Sequence, residues 1–456
     1  MKKEKLSKIL LICIFVVFSI FVLVLAFKIR MGVSPDSSYH LEVSRVYSTT
    51  LGIPENSPDT YKWRDITRIP YLYYWINGRI LNINNGFLDE IILLRLVNVI
   101  YSLGTVFVMY LLSKEVLTGK FKRLFPLFLL TNTLMFTFLS SSINYDNLAN
   151  LLSVLSIFFF VKFVKSKISI KYLLLMILSL SLGAFTKFTI LPLAFILVVL
   201  SIVEIIRKRK ELKNLIFKKS YLFLLIPIVI TLFFNSQIYG VNLIKYGSLE
   251  PECNQILTHE QCLENGVYYR DNVTMEETEI GGLKDSIDLV ISGERIDFVR
   301  YFGYWIWDIT GKIYGIMGDS SLIMSSTIIP LYLLFLSISL LLGVLNWKKW
   351  NRTEIYLIVI SLFYFLVLFF VQNYDMYLRY NHLYLALQGR YMFPVITVIY
   401  ILFSKSIFFI KNKWVRNTVL VLLILLFTPS NTRRMCLSTH VLDQINRKTR
   451  YNSNQD

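Results

Sequence analysis

Four charged side chains stand in polar breaks between long apolar runs, and their types suit the transfer of a group from a phosphate to a hydroxyl. The stretch Ser34–Glu42 places Asp36, His40 and Glu42 within a few residues of each other. If Asp36 begins a helix, Asp36 and His40 share a face at i, i+4. The plainer role for an Asp after Pro35 is a helix cap accepting backbone N–H bonds, and the two roles are compatible. Asp146 lies in Asn144-Tyr145-Asp146-Asn147, after three serines, where a cap is again the plain alternative. Lys187 is the only basic residue in a mostly apolar stretch of about 35 residues, Tyr172 to Ile206, whose one other charge, Glu204, lies near its far end. Such a lysine must reach water, a headgroup or an anion. Snorkelling satisfies that need, and so does a phosphate partner. Arg390, in Gln388-Gly389-Arg390-Tyr391, carries a forked guanidinium suited to a phosphate, and Gly389 beside it suggests a close backbone approach or a helix break. Arg95, inside an apolar run, reads as a buried partner for a carboxylate.

Asp36 could take a proton from an attacking hydroxyl, and Asp146 would help to orient acceptor or base. Lys187 and Arg390 could hold a leaving phosphate, which needs cationic stabilisation rather than a proton. His40 would help to orient acceptor or base. The spacing offers too few ligands for a metal, and only four histidines occur in the chain, so no metal or other cofactor is expected. No GxxxxGK[ST] or GxGxxG phosphate loop and no GxSxG elbow is present, which disfavours nucleotide-driven chemistry.

The elements that must position these residues are membrane spans. Of 456 residues, 55% are hydrophobic and 17% charged, and apolar runs of about 18 residues or more recur from end to end. A β-barrel would need short alternating segments, which are absent. The net charge of +18 is parcelled into short clusters between apolar runs, as the positive-inside rule requires, so a nucleic-acid partner is rejected and membrane lipids are expected. Leu6–Phe27 reads as an uncleaved first span. Lysine and arginine flank both ends of the Tyr172–Ile206 run, so the chain must go out and back, with Lys187 at the turn. Threading continues to about 10–11 spans, an all-α polytopic membrane protein. The transmembrane domain covers 1–428 with exterior segments 28–90 and 240–319, and a basic polar tail follows at 429–456. The exterior segments are rich in Tyr and Trp, which predicts helices lying along the outer interface with their aromatics in the headgroup belt. Cys253 and Cys262, in the second exterior segment, suit a disulfide on compartment grounds.

These motifs resemble, in order, those of an uncharacterised membrane family related to GT-C glycosyltransferases. Pro35-Asp36-x-x-Tyr39-His40 resembles its PDxxxH segment. Asn144-Tyr145-Asp146 resembles its Asn-Pro-Asp, Thr186-Lys187-x-Thr189 its Thr-Lys turn, and Gln388-Gly389-Arg390-Tyr391-x-x-Pro394 its QGRYxxP. Ser37 replaces a usual second acid, Tyr145 a proline, and Phe188 a residue that is commonly polar. The resemblance implies a GT-C bundle with an extracytoplasmic site fed by polyprenyl-phosphate sugars, and an acidic base in the first exterior loop, here Asp36. The expected reaction is transfer of a sugar from a polyprenyl-phosphate donor to a cell-envelope glycan or lipid-linked acceptor, in the cell membrane at its outer face. A lipid-linked polysaccharide polymerase or ligase is the alternative, using Arg270, Arg295 and Arg300 for a diphosphate. A transporter or flippase is disfavoured, because no internal repeat appears and the polar residues crowd one face.

Overall fold

The structure is a computed structural model that describes residues 2–31, 34–63, 66–211, 221–315 and 328–428. The tail from 429 and the end of the second exterior segment, 316–319, lie outside the described residues. Among those residues every regular element is helical. Seven helices are long and apolar enough to cross a membrane: Glu4–Lys28, Glu90–Val116, Asp146–Lys165, Phe188–Arg207, Leu222–Tyr246, Arg352–Tyr380 and Gly389–Ile407. Ile170–Ala184 and Ile329–Leu345 are apolar but shorter. The run from Leu124 to Leu139 is broken into Phe125–Thr131 and Leu134–Ser140, and the last apolar run forms Lys413–Phe427. Many flanks of these helices are apolar yet exposed, such as Ile12, Ile20, Phe223, Leu340 and Leu425. Apolar surface all round a helix is what a lipid solvent selects.

The hairpin expected at Lys187 is present. Ile170–Ala184 packs against Asp146–Lys165, the chain turns through Phe185–Lys187, and Leu191–Arg207 runs back. Asp146 and Lys187 therefore sit at one end of the bundle, the site end. Lys165 and Arg207 mark the opposite, basic end, about 30 Å away along a 20-residue helix. At the basic end the fully buried Glu204 accepts contacts from Lys208 at 2.9 Å and from Arg207 and Arg352 at 3.1 Å.

The first exterior segment folds into two amphipathic helices, Ser37–Ser48 and Leu72–Asn84, laid against each other. Gly78 lets them touch, since a Cβ there would lie 2.7 Å from the Tyr47 carbonyl carbon. The headgroup belt expected of the aromatics is only partly realised. Tyr73, Tyr74, Tyr301 and Trp305 are fully buried. Each has a polar tip that finds a partner inside, as Trp305 Nε1 does in Asn373 at 2.9 Å, and so these rings can serve as core. Tyr304 and Trp307, on the other face of Phe298–Tyr314, remain exposed.

Arg95 corrects a second expectation. It is buried, and among the described residues it is ion-paired with no carboxylate. Its guanidinium donates to the Ala26 carbonyl at 2.9 Å and lies 3.7 Å from the Met31 sulfur. Ala26 is in the last turn of Lys2–Lys28, where unsatisfied carbonyls and the helix dipole favour a cation.

Candidate active site

Four segments far apart in sequence deliver charge to one spot at the site end. Arg390 Nη2 donates to Asp36 Oδ2 at 2.5 Å, and Arg390 Nε lies 3.6 Å from Asp146 Oδ2. Lys187 Nζ is ion-paired with Asp146 Oδ1. The ammonium also sits over the Tyr145 ring at 4.5 Å and the Tyr391 ring at 5.0 Å. The side chains of Asp146, Lys187 and Arg390 are 4–5% exposed, whereas that of Asp36 is 50% exposed. Asp36 thus stands towards the surface and the other three are buried behind it.

Local backbone explains each placement. Asp36 is not the cap that its position after Pro35 suggests. Its side chain makes no cap bond and its φ is 56°, a left-handed conformation that Asp tolerates better than most residues. That conformation starts the helix Ser37–Ser48, through the His40 N–H to Asp36 carbonyl bond at 2.9 Å, and leaves the carboxylate for Arg390. Asp146 opens its helix, but the local bond there is its N–H to Asn144 Oδ1 at 2.9 Å, so its carboxylate too is released from capping. Lys187 does not snorkel: the tight turn that ends Ile170–Ala184 points it inward. Gly389 has the close backbone approach its type suggests. A Cβ there would fall 2.6 Å from the Ile313 nitrogen and the Lys312 carbonyl carbon. Lys312 Nζ donates to the Leu387 carbonyl at 2.8 Å and clamps the same crossing.

His40 is fully buried beneath this cluster. Its Nδ1 is 2.9 Å from the Tyr74 hydroxyl and its ring is 4.5 Å from that of Tyr145. Burial pushes the ring's pKa down to about 3, against the pull of the Asp36 charge, so His40 is neutral at ordinary pH. It supports the residues around the acid rather than reaching the surface. For Asp36, burial by itself raises the carboxyl, but the adjacent Arg390 charge and bond, with the Lys187 charge, outweigh it and hold the group below the usual carboxylate range. Glu42 is drawn away from the site, because Arg45 bridges it to Glu90 at 2.6 and 2.8 Å.

Several residues of the site escaped sequence reasoning. Asn98 Oδ1 accepts from the Asn147 amide at 2.9 Å and from the Asn144 N–H at 3.4 Å, and the Asn144 amide donates to the Pro35 carbonyl at 3.1 Å. This amide chain ties the Asp36 loop to the Asp146 loop. Its one available signal was Asn98 itself, an amide inside an apolar run. Tyr145 and Tyr391 stood in the sequence only as members of the Asn144-Tyr145-Asp146 and Gln388-Gly389-Arg390-Tyr391 motifs, with no role of their own. Cys253 and Cys262 form a disulfide, and that subdomain docks through the Asn265 amide to the Lys62 carbonyl at 3.0 Å. Arg270 pairs with Asp271, Arg300 with Asp297, and Arg295 donates to the Leu378 carbonyl, so none of the three is brought to the cluster. Among the described residues no group of three or more His, Cys, Asp or Glu could hold a metal.

The family model described as predicted membrane protein (DUF2142) matches residues 47–264, a stretch that includes Asp146 and Lys187 but neither Asp36 nor Arg390. No curated protein matches the chain in sequence. The chain is similar to the crystal structure of ArnT from Cupriavidus metallidurans bound to undecaprenyl phosphate, with 14% identity and a TM-score of 0.51 over 90% of this chain and 62% of that one. A second solved structure, the archaeal oligosaccharyltransferase AglB from Archaeoglobus fulgidus in complex with an inhibitory peptide and a dolichol-phosphate, aligns with 14% identity and a TM-score of 0.43 over 91% of this chain and 54% of that one. The chain spans less than two thirds of the length of either, and at this identity the likeness to ArnT speaks for the fold alone. The chain is a multi-pass helical membrane protein whose fold is similar to that of ArnT.

Proposed function

We propose that this protein is a glycosyltransferase that moves a sugar from a polyprenyl-phosphate-linked donor to a hydroxyl of a cell-envelope glycan or related acceptor, at the extracytoplasmic face of the cell membrane. The observation that carries the reading is the meeting of Asp36, Asp146, Lys187 and Arg390 at one end of a bundle whose other end is basic. The positive-inside rule makes that other end cytoplasmic and the site exterior. Nucleotide sugars are not available outside, so an exterior transferase needs a donor carried by lipid. The undecaprenyl phosphate bound by ArnT, which shares the fold, is consistent with such a donor.

Each residue then has a chemical task. Arg390, with Nε and Nη1 lacking any hydrogen-bond acceptor, offers two N–H groups to a phosphate. Lys187 supplies a second cation beside it, oriented by Asp146 and by the Tyr145 and Tyr391 faces. As the acceptor oxygen attacks the anomeric carbon, the bond to the phosphate oxygen breaks and its electrons go to the phosphate, where the two cations stabilise the gathering charge. The acceptor proton goes to Asp36, the half-exposed acid. His40 and Tyr74 hold the wall behind it. The test is purified protein in liposomes offered radiolabelled polyprenyl-phosphate sugars with an envelope glycan acceptor. Asp36→Asn is expected to slow transfer by about 100-fold or more. Undiminished transfer by that variant overturns the assignment of the base.

A further inference from the structure

The base of this reaction is already occupied. The Asp36 carboxylate accepts a 2.5 Å bond from Arg390, the residue that must grip the donor phosphate. Three observations bear on that overlap. Arg390 is almost wholly buried, yet its Nε and Nη1 have no hydrogen-bond acceptor, Asp146 Oδ2 being 3.6 Å from Nε. A buried guanidinium with idle donors has hydrogen bonds left to give to a further acceptor. Asp36 is the opposite: its side chain is half exposed, so its carboxylate has water to turn towards. Finally, the charges cancel, since Asp36 and Asp146 balance Lys187 and Arg390 while His40 is neutral. An incoming phosphate gains a net positive pocket only if one carboxylate steps aside, and Asp146, 4% exposed, has no water to step into.

We propose that Asp36 is the resting anion of the Arg390 phosphate site and that the donor phosphate displaces it, so that donor binding fills the site and frees the base in one exchange. The exchange rests on the donor reading above and goes beyond it by setting an order: donor before acceptor. No proton moves in the exchange, because one anion replaces another on the guanidinium. Freed from Arg390, the carboxylate loses the neighbour that weakened it as a base. In the transfer that follows, Asp36 gains the hydroxyl proton and the polyprenyl phosphate leaves with the bonding electrons. Protonated Asp36 is neutral and cannot retake Arg390 until its proton passes to water, which couples resetting of the site to departure of the phosphate.

The test is a binding titration of the full chain in detergent with a polyprenyl monophosphate carrying no sugar, read by ligand-induced thermal shift, with inorganic phosphate as a second ligand. Asp36→Asn removes the competing carboxylate and suits the left-handed backbone. It is expected to bind both ligands more tightly than the wild type, by about tenfold if the resting pair is closed nine-tenths of the time. If the Asn variant fails to fold, Asp36→Gly, also at ease at positive φ, takes its place. Wild-type binding with no gain in either Asp36 variant overturns the exchange and leaves the donor reading standing. A gain confined to the lipid also overturns it, because the freed guanidinium must favour any phosphate. No binding by wild type or variants overturns both readings.

Discussion

At the scale of single residues the site is a set of buried charges that survive only in each other's company. Lys187 and Asp146 are each 4% exposed, so Lys187→Met leaves the buried Asp146 carboxylate with only its 3.6 Å contact to Arg390. Removing one partner of such a pair costs roughly 3–5 kcal/mol, whereas removing both is far milder. Lys187→Met is therefore expected to lower the unfolding temperature in detergent, the double variant Lys187→Met with Asp146→Asn to recover most of it, and both to lack transfer. A double variant as unstable as the single would show that the pair is not what the surroundings require. His40 gives a pH signature. Its pKa is pushed from 6.5 to about 3 in the folded chain, so between those values the unfolded chain binds more protons. Stability is then full above about pH 6.5 and falls as pH drops towards 3. The groups facing the ring are Asp36, Asp146, Lys187 and Arg390 with neighbouring tyrosines. His40→Gln should flatten the acid limb of an unfolding-temperature profile between pH 4 and 6.5, and an unchanged slope would mean that other groups set it.

At the scale of elements, one close crossing holds Arg390 in register. The segment that carries Arg390 passes so near the helix Phe298–Tyr314 that a Cβ on Gly389 would strike its backbone at 2.6 Å. Backbone cannot swing away as the end of a side chain can. Gly389→Ala should thus displace Arg390 and reduce transfer by about tenfold or more with Arg390 itself untouched, since a 1 Å misplacement can cost as much as 100-fold. Wild-type turnover by Gly389→Ala would show that the crossing has slack. The disulfide subdomain is a second device. Cys253 and Cys262 close a short loop packed with Tyr268, Leu257 and Leu263 and docked on the segment Pro58–Tyr61 and Lys62. Loop-closure entropy for about ten residues is worth roughly 2–3 kcal/mol. Replacing both cysteines by serine is expected to open this subdomain to limited proteolysis in the exterior segment while leaving the spans intact, and unaltered protease resistance would count against that role.

At the scale of the whole molecule, the chain sorts its charge by end. The basic end is closed by carboxylates that gather cations, Glu204 with Arg207, Lys208 and Arg352, and Glu115 with Lys162 and Lys165. The site end instead gathers mixed charge around a half-exposed acid. The topology predicts that single cysteines at positions 36 and 38 react with a membrane-impermeant maleimide added outside intact cells, while cysteines at 167 and 209 react only after permeabilisation. Labelling of both pairs from one side would end the exterior assignment.

The sequence by itself determined the solvent, and with it the helical class, because runs of apolar residues leave no other way to satisfy a backbone in lipid. It also determined the hairpin at Lys187, since basic flanks at both ends of one long run force a return. It singled out Lys187 as too costly to be idle among apolar neighbours, and Asp36, Asp146 and Arg390 as charges in the polar breaks between apolar runs. What it left open was partnership. Asp36 and Asp146 read equally as helix caps until the left-handed Asp36 backbone and the Asn144 bond to the Asp146 N–H released both carboxylates. Arg95 looked destined for a carboxylate and instead serves the carbonyl end of the first helix. The tyrosines expected at the membrane surface were taken into the core by partners distant in the chain. In each case local rules gave two answers of similar free energy, and contacts between segments tens to hundreds of residues apart, such as the 354-residue separation between Asp36 and Arg390, chose between them.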